Sequence, residues 1–399
     1  MFDHEFYRIR RLPPYVFAEV NKVKAEARQQ GKDIIDFGMG NPDSKTPDHI
    51  VEKLRETVLD PTTHGYSVSA GILGLRKAVA NYYDRRFNVS IDPETEVTVS
   101  QGSKEGLYHL ATAITRPGDF VLVQNPSYPI HAFGFILAEA NVRLMPRDFS
   151  NKDHETDFLN QLKLAVENSS PKPVAVVVNY PCNPTAEVAS LPFYEEIISF
   201  CKKHEVIVIS DLAYNEIYFD DDNPPPSILQ VKDAKDIAVE FTTMSKTYSM
   251  AGWRVGFCAG NKDLIHNLKR IKSYLDYGSF TPIQVAAASA LNGPQDCVIE
   301  ARNRYKQRRD VMVKGLHDAG WSVDSPDASM FIWAEIPKKF HNYGSLEFSK
   351  LLMKEAEVAV SPGIGFGSGG DMHVRISLIN NLERSRQAIR NIKRFLKDN

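Results

Sequence analysis

The chain has 399 residues and a net charge of −2; 43% of the residues are hydrophobic and 25% are charged. This composition is typical of a soluble enzyme with a large core, and the near-neutral charge argues against a nucleic-acid partner. Because no apolar stretch has membrane length and the N-terminal residues lack the pattern of a secretory leader, we expect no membrane partner and a cytoplasmic location.

The first segments with chemical potential are a glycine turn and an aromatic residue. Residues 100–106 predict a turn that leads into a helix, whose free N–H groups can bind a phosphate, although a simple capping turn has the same pattern. Residues 120–124 form an apolar run that predicts a buried strand. Tyr128 follows this strand and can stack on a planar ring, or it can be an ordinary tyrosine of the core or rim.

Two further strand patterns are followed by polar side chains. Residues 174–178 predict a strand ahead of Asn183, and residues 206–210 predict one that leads into Asp211. Ligands of open α/β sheets bind at the carboxyl ends of the strands, where a carboxylate such as Asp211 can pair with a protonated pyridine nitrogen. Tyr214 and Asn183 can hydrogen-bond the phenolic oxygen of such a ring. Taken alone, Asp211 fits a helix N-cap equally well, and Asn183 fits a turn.

A lysine follows the next predicted strand. Lys246 comes just after the apolar, β-branched run of residues 237–243, and Arg254 lies further along the same segment. A lysine traps carbonyl compounds only when burial or a neighbouring cation lowers its pKa toward neutrality, and Arg254 can supply that charge as well as a phosphate clamp. We therefore expect Schiff-base chemistry between Lys246 and a phosphorylated aldehyde. An exposed lysine in a surface loop is the alternative.

The C-terminal part predicts a strand over residues 331–336, a helix over 346–355, a strand around Arg375 and a helix from about 382 to 397. The planar guanidinium of Arg375 can bind a substrate carboxylate through two parallel hydrogen bonds, which lysine cannot do. A surface salt bridge is the alternative for this arginine. The alternation of strands and helices from about residue 95 to 260 predicts a mostly parallel sheet that is covered on both faces.

In their order and spacing these segments resemble the fold-type I, class I and II aminotransferases that depend on pyridoxal 5′-phosphate, and the resemblance covers nearly the whole chain. It implies an α/β fold whose large domain has a mostly parallel, seven-stranded sheet flanked by helices, with a smaller α+β domain beside it. In the family's pattern Lys246 bonds the cofactor's aldehyde. The other implied cofactor-binding residues are Gly102, Ser103, Lys104, Tyr128, Asn183, Asp211, Tyr214, Thr243, Ser245, Arg254 and Tyr66. The implied substrate-binding residues are Arg375, Gly40, Tyr15 and Asn183.

The resemblance also implies an assembly and a division of the chain. Tyr66 matches the tyrosine that this family lends across a dimer interface to the neighbouring site, so a homodimer is expected. The expected divisions are an N-terminal segment of the small domain over residues 1–45, a large cofactor-binding domain over 46–285 and a C-terminal small domain over 286–399.

The substrates follow from a narrower likeness. Residues 11–17, 63–67, 273–278 and 361–367 resemble the bacterial alanine (glutamate–pyruvate) transaminases. This implies amino-acid and 2-oxo-acid substrates, with the amino group moving between L-alanine and 2-oxoglutarate by a ping-pong mechanism. An aminotransferase of LL-diaminopimelate, aspartate or methionine is an alternative, and so is a pyridoxal-phosphate-dependent β-lyase.

Two patterns do not lead to a function. Residues 365–370 satisfy the glycine spacing of a dinucleotide-binding turn, but a strand pattern follows them where that turn requires a helix. The four cysteines, Cys182, Cys201, Cys258 and Cys297, lie far apart, so neither a disulfide framework nor a zinc site is predicted. We expect no metal at the site.

Overall fold

Alternating strands and helices fill the middle of the chain in the computed structural model, which describes residues 6–14 and 16–399. The described helices are α1 (Tyr7–Arg10), α2 (Val16–Gln29), α3 (Asp48–Val58), α4 (Leu73–Phe87), α5 (Ser103–Ile114), α6 (Pro129–Leu137), α7 (His154–Glu167), α8 (Leu191–His204), α9 (Met244–Thr247), α10 (Lys262–Leu275), α11 (Thr281–Asn292), α12 (Asp296–Asp318), α13 (Gly344–Ala356) and α14 (Leu382–Asp398). The described strands are β1 (Ile35–Asp36), β2 (Val97–Ser100), β3 (Phe120–Asn125), β4 (Asn141–Pro146), β5 (Ala175–Asn179), β6 (Ile207–Asp211), β7 (Ala238–Thr243), β8 (Gly256–Gly260), β9 (Phe331–Glu335), β10 (Val358–Ala359), β11 (Ser361–Pro362) and β12 (His373–Ser377).

Seven strands form the main sheet in the order β2-β8-β7-β6-β5-β3-β4. Strands β3 to β7 run parallel to their neighbours within this set, and β8 is antiparallel to both β7 and β2. The predicted mostly parallel, seven-stranded sheet is therefore confirmed. Its topology brings the carboxyl ends of β5, β6 and β7 together at one edge, where a ligand of an open α/β sheet binds.

The strand sequences explain why both faces of this sheet are covered. Every residue of β5 is buried, as expected for a Val-rich strand with helices on both sides. Val176 and Val178 belong to the hydrophobic cluster on one face, whereas Ala175 and Val177 belong to the cluster on the other face. This alternation places successive side chains of the strand in opposite layers of the core.

A smaller sheet positions the C-terminal site residues. Its order is β11-β12-β9, and Arg375 on β12 pairs with Trp333 on β9. Strand β1 pairs in parallel with β10, so the N-terminal segment is attached to the C-terminal part of the chain. The domain boundaries expected at residues 45 and 285 stay predictions. Across the described residues, no helix is both long enough and apolar enough to cross a bilayer.

Candidate functional site

Most of the expected site residues meet in one cavity of about 730 Å³ at the carboxyl ends of the central strands. The expected residues that line it are Gly40, Ser103, Lys104, Tyr128, Asn183, Asp211, Tyr214, Thr243, Ser245, Lys246, Arg254 and Arg375. Gly102 lies directly behind this lining, against the Arg254 guanidinium. Tyr15 falls outside the described residues, so its expected substrate contact stays a prediction.

Lys246 lies on α9, the short helix that follows β7 directly. Thr243 caps this helix, because its hydroxyl accepts a hydrogen bond from the Ser245 N–H at 3.2 Å. The Lys246 ammonium donates to the Gly40 carbonyl at 2.6 Å. Burial and the nearby cations Arg375 and Arg254 lower the pKa of Lys246 to about 8. About a tenth of this amine is therefore neutral at pH 7, far more than for a lysine of ordinary pKa, and only the neutral amine traps a carbonyl compound.

Asp211 ends β6, and its two carboxylate oxygens have different surroundings. Oδ2 lies 2.9 Å from Nε2 of His131, a buried residue of α6. Oδ1 is also buried, and it has no hydrogen-bond partner within the described chain. A buried carboxylate oxygen without a donor is costly, and a protonated ring nitrogen would satisfy it.

Asn183 and Tyr214 lie beside this carboxylate. The Asn183 side-chain amide is 3.5 Å from the Tyr214 hydroxyl. Burial raises the pKa of Tyr214 well above its ordinary value, so the hydroxyl keeps its proton and can donate. Asn179 connects the two strand ends, because it donates to the Asp211 carbonyl at 2.8 Å and accepts from the Asn183 N–H at 2.9 Å. The ends of β5 and β6 are thus fixed relative to each other.

The N-terminus of α5 forms a cradle with Arg254. Gly102 precedes the helix with a φ of +85°, and a Cβ at this position would lie 2.1 Å from Nη2 of Arg254. The guanidinium donates to the carbonyls of Ala251 at 2.8 Å and Gln101 at 3.2 Å. Free N–H groups at a helix start, an arginine and the Ser245 hydroxyl make a donor set suited to a phosphate. The orphaned Asp211 oxygen and this cradle fit pyridoxal 5′-phosphate.

The Arg375 guanidinium contacts two aromatic rings. Its guanidinium carbon lies 4.0 Å from the ring centre of Phe331 and 4.6 Å from that of Phe366. It donates to Asn183 Oδ1 at 2.6 Å and to the Gly38 carbonyl at 3.1 Å. These ring contacts and hydrogen bonds restrain the guanidinium, whose planar fork suits two-point binding of a carboxylate.

Gly40 lies where this arginine and Lys246 approach each other. A Cβ on Gly40 would come within 2.8 Å of the Phe331 ring. The close approach of the backbone to Phe331 therefore requires glycine at this position.

Tyr66 lies away from the cavity of its own chain. Its side chain is 90% exposed, and its ring centre is 4.8 Å from that of Tyr277. Val68, Tyr274 and Phe280 are also exposed large hydrophobic residues in these two segments. The cofactor contact expected of Tyr66 stays a prediction, since it requires a second chain.

Sequence reasoning missed several residues of the site. His131 lies three positions after Tyr128 on α6, and its contact with Asp211 at the end of β6 depends on tertiary packing that no local pattern indicates. Phe331 was assigned only to a strand, and Phe366 only to a glycine-rich segment. Asn179 was missed as well, although the sequence carries a signal for it. An asparagine directly after a run of valines is unusual for a buried strand and marks the polar end of β5.

Comparisons with known proteins bear on this geometry. The profile of the family described as "Aminotransferase class I and II" matches residues 32–392. The glutamate-pyruvate aminotransferase AlaC of Escherichia coli (strain K12) is 54% identical over 391 residues, which cover 98% of this chain and 93% of AlaC. An LL-diaminopimelate aminotransferase of Nitratidesulfovibrio vulgaris (strain Hildenborough) is 43% identical, with 97% of this chain and 98% of that protein covered. A solved aspartate aminotransferase of Thermus thermophilus, a single mutant, superposes with a TM-score of 0.90 and 26% identity over 99% of this chain and 100% of that one.

Proposed function

The chain belongs to the class I and II aminotransferases, and on this premise we propose that it transfers the amino group between L-alanine and 2-oxoglutarate, yielding pyruvate and L-glutamate. It is an aminotransferase of fold type I, and enzymes of this family use pyridoxal 5′-phosphate. The observation that carries the proposal is the meeting of Lys246, Asp211 and Arg375 in one cavity. The substrate pair is supported by the likeness to AlaC.

Different residues of the cavity would bind different parts of the cofactor. Asp211 would hold the ring nitrogen, Tyr214 and Asn183 the ring hydroxyl oxygen, and Tyr128 the ring face. Ser103, Lys104, Thr243, Ser245 and Arg254, with Gly102 behind them, would hold the phosphate. When bound, the cofactor supplies an aldehyde that takes up the amino group and a ring that accepts the electron pair released at the substrate's α-carbon.

Two residues would act on the substrate itself. Arg375 would bind the α-carboxylate through two of its guanidinium nitrogens and so orient the bond to the α-proton. Lys246 would accept that proton on its neutral Nζ and later return it, because a pKa of about 8 lets one amine act first as a base and then as an acid near neutral pH. In the ping-pong cycle the same residues serve the amino acid and then the 2-oxo acid.

The cavity lining favours a small amino donor over LL-diaminopimelate. Among the described residues that line it, Asp211 is the one carboxylate, and it is committed to the ring-nitrogen position. The second ammonium group of LL-diaminopimelate would therefore enter the cavity without an acidic partner, which costs affinity. The aromatic rings of Phe17, Phe331 and Phe366 instead provide an apolar wall that suits a methyl side chain.

The test is a comparison of kcat/KM for four amino donors with 2-oxoglutarate as the acceptor: L-alanine, LL-diaminopimelate, L-aspartate and L-methionine. We expect L-alanine to exceed each of the others by at least about tenfold, which corresponds to about 1.4 kcal/mol of differential transition-state binding. A higher kcat/KM for another donor would identify that donor, and not L-alanine, as the preferred substrate. Release of ammonia from L-cysteine without a 2-oxo acid would support the β-lyase alternative.

We also infer that the enzyme acts as a homodimer in which Tyr66 serves the neighbouring site. The exposed aromatic rings of Tyr66, Tyr274, Tyr277 and Phe280 support this, because an apolar patch of this kind is typical of an interface. Mixing Lys246→Ala chains with Tyr66→Phe chains tests it. In mixed dimers, the Tyr66→Phe chain keeps its own Lys246 and receives an intact tyrosine from its partner. Activity above the sum of the two separate variants is expected, and its absence would contradict a contact across the interface.

A further inference from the structure

A buried lysine outside the cavity connects two segments of the cofactor site. Lys272 on α10 is fully buried. Its ammonium lies 2.8 Å from Asp276 Oδ2 and 3.6 Å from Glu105 Oε1. His109 Nδ1 lies 2.9 Å from the same Glu105 oxygen. A buried ammonium is costly unless opposite charges compensate it, and the carboxylates of Glu105 and Asp276 supply that charge to Lys272.

The Glu105 side of this cluster reaches the phosphate cradle. Glu105 Oε2 accepts a hydrogen bond from the Gln101 N–H at 3.0 Å, and the Gln101 carbonyl accepts one from Arg254 at 3.2 Å. Burial would raise the pKa of Glu105, but His109 and Lys272 hold it below its ordinary value. The carboxylate therefore stays ionised and keeps the turn before Gly102 in place.

The Asp276 side reaches the segment that carries Tyr66. Asp276 Oδ1 accepts a hydrogen bond from the Gly278 N–H at 2.6 Å, and the Asp276 carbonyl accepts one from the Ser69 hydroxyl at 2.6 Å. Gly278 has a φ of +76°, and a Cβ there would lie 2.4 Å from the Val68 carbonyl oxygen. The turn after α10 is thus tightly joined to residues 68–69.

We propose that Lys272 is a positioning residue that holds the phosphate-binding turn at Gln101 and the segment carrying Tyr66 in one arrangement, acting through Glu105 and Asp276. This rests on the phosphate role proposed above for Arg254 and the start of α5. Glu105, His109 and Asp276 are also grouped closely enough to ligate a metal ion. The Lys272 ammonium supplies the positive charge in their midst, so the cluster needs no ion.

Removing Lys272 should weaken binding of the cofactor's phosphate and leave binding of its ring unchanged. Loss of Lys272 would loosen the turn at Gln101 and Arg254, which face the phosphate. Lys246 and Asp211, which face the aldehyde and the ring, would keep their positions. The cofactor-free enzyme is therefore titrated with pyridoxal 5′-phosphate and separately with pyridoxal, which lacks the phosphate. For Lys272→Met we expect the Kd of the phosphorylated form to rise about 10- to 100-fold, the range found when an outer partner of a metal ligand is removed, and the Kd of pyridoxal to change less than about twofold.

Matched variants separate this from a general loss of structure. Lys269→Met removes a lysine one turn earlier on α10, whose ammonium donates to the Glu94 carbonyl and lies outside the cluster; it should leave both Kd values unchanged. Glu105→Gln should weaken binding of the phosphorylated form selectively, and it serves as the test if Lys272→Met fails to fold. Where both single variants fold, Lys272→Met combined with Glu105→Gln should weaken binding by less than the product of the single effects, since both act through one contact.

Three results would overturn the proposal: an equal loss of affinity for both compounds in Lys272→Met, no loss for either, or fully multiplicative effects of Lys272→Met and Glu105→Gln. Wild-type enzyme that binds pyridoxal as tightly as its phosphate would instead contradict the phosphate role of Arg254, and the proposal for Lys272 would fall with it. Failure of the phosphate assignment is therefore visible in the wild type, before any variant is compared.

Discussion

His131 and Asp211 form a buried contact in which Nε2 lies 2.9 Å from Oδ2, while the other oxygen of the same carboxylate has no partner within the described residues. The two oxygens thus have separate tasks. One is oriented by the protein, and the other is available to a protonated ring nitrogen. A carboxylate whose orientation is fixed before binding loses little entropy when the cofactor binds.

Asp211→Asn removes the negative charge and keeps the size of the side chain. We expect kcat to fall about 10²- to 10³-fold, the range for loss of one preorganised electrostatic partner, because the ring nitrogen would lose the charge that keeps it protonated. His131→Asn should cost only about tenfold, since this residue orients the carboxylate without touching the cofactor. Steady-state kinetics with L-alanine and 2-oxoglutarate measure both. Near-normal turnover of Asp211→Asn would contradict the role of Asp211 as the partner of the ring nitrogen.

The lowered pKa of Lys246 predicts a pH dependence. Only the neutral amine condenses with an aldehyde, so the rate at which cofactor-free enzyme reacts with pyridoxal should rise with pH and level off above about 8. Arg254→Gln removes one of the cations that lower this pKa, so its plateau should begin at higher pH. Pyridoxal is the suitable probe because it carries no phosphate for Arg254 to bind. A wild-type rate that still rises steeply between pH 9 and 10 would mean that Lys246 has an ordinary pKa.

Arg375→Lys keeps the positive charge but loses the planar fork that contacts Phe331 and Phe366. We expect kcat/KM to fall about 10²-fold for L-alanine and for 2-oxoglutarate alike, because both carry the α-carboxylate that the fork would bind. The matched control is Arg384→Lys on α14, where the arginine makes a surface ion pair with Asp33. A loss confined to one of the two substrates would contradict the assignment of Arg375.

Lys104 lines the cavity, and no ion pair joins its ammonium to any described residue. The backbone N–H of Lys104 lies at the start of α5, where the phosphate would bind. Its side-chain ammonium can therefore pair separately with the second carboxylate of 2-oxoglutarate. Lys104→Met should therefore raise the KM for 2-oxoglutarate by about tenfold and change the KM for L-alanine or pyruvate little, since one ion pair of this kind contributes about 1.4 kcal/mol. An equal rise in KM for all substrates would contradict a contact between Lys104 and the second carboxylate, and would indicate that Lys104 contacts only the cofactor's phosphate.

Much of the fold and the charged part of the site could be predicted from the sequence. Asp211, Asn183 and Lys246 each follow a run of apolar, β-branched residues, and parallel strands must bring such positions to one edge of the sheet. The strand bounds agree within one or two residues, as for Ile207–Asp211 against the predicted run at 206–210. Local pattern and topology were sufficient for these residues.

The residues that sequence reasoning missed depend on tertiary packing. His131 reaches Asp211 from α6, a helix that packs against α5, β3 and β4, and Phe366 reaches Arg375 from an earlier segment that packs against the small sheet. Lys272 has an ordinary helical neighbourhood in the sequence, and only the fold shows that Glu105 lies 3.6 Å from it. Lysine is usually exposed, so its burial could not be predicted from residue type. The contact expected of Tyr66 involves a second chain, which one sequence does not place.

Lys246 and its cavity are proposed to exchange an amino group between L-alanine and 2-oxoglutarate through bound pyridoxal 5′-phosphate. The most direct test is the absorption spectrum of the purified enzyme with cofactor, recorded before and after L-alanine is added alone and again after 2-oxoglutarate follows. We predict that the visible band of the lysine-bound cofactor disappears with L-alanine and returns with 2-oxoglutarate, and that Lys246→Ala lacks this band while still binding the cofactor. A wild-type band that L-alanine leaves unchanged would contradict the substrate assignment, and a wild-type enzyme without any such band would contradict the role of Lys246.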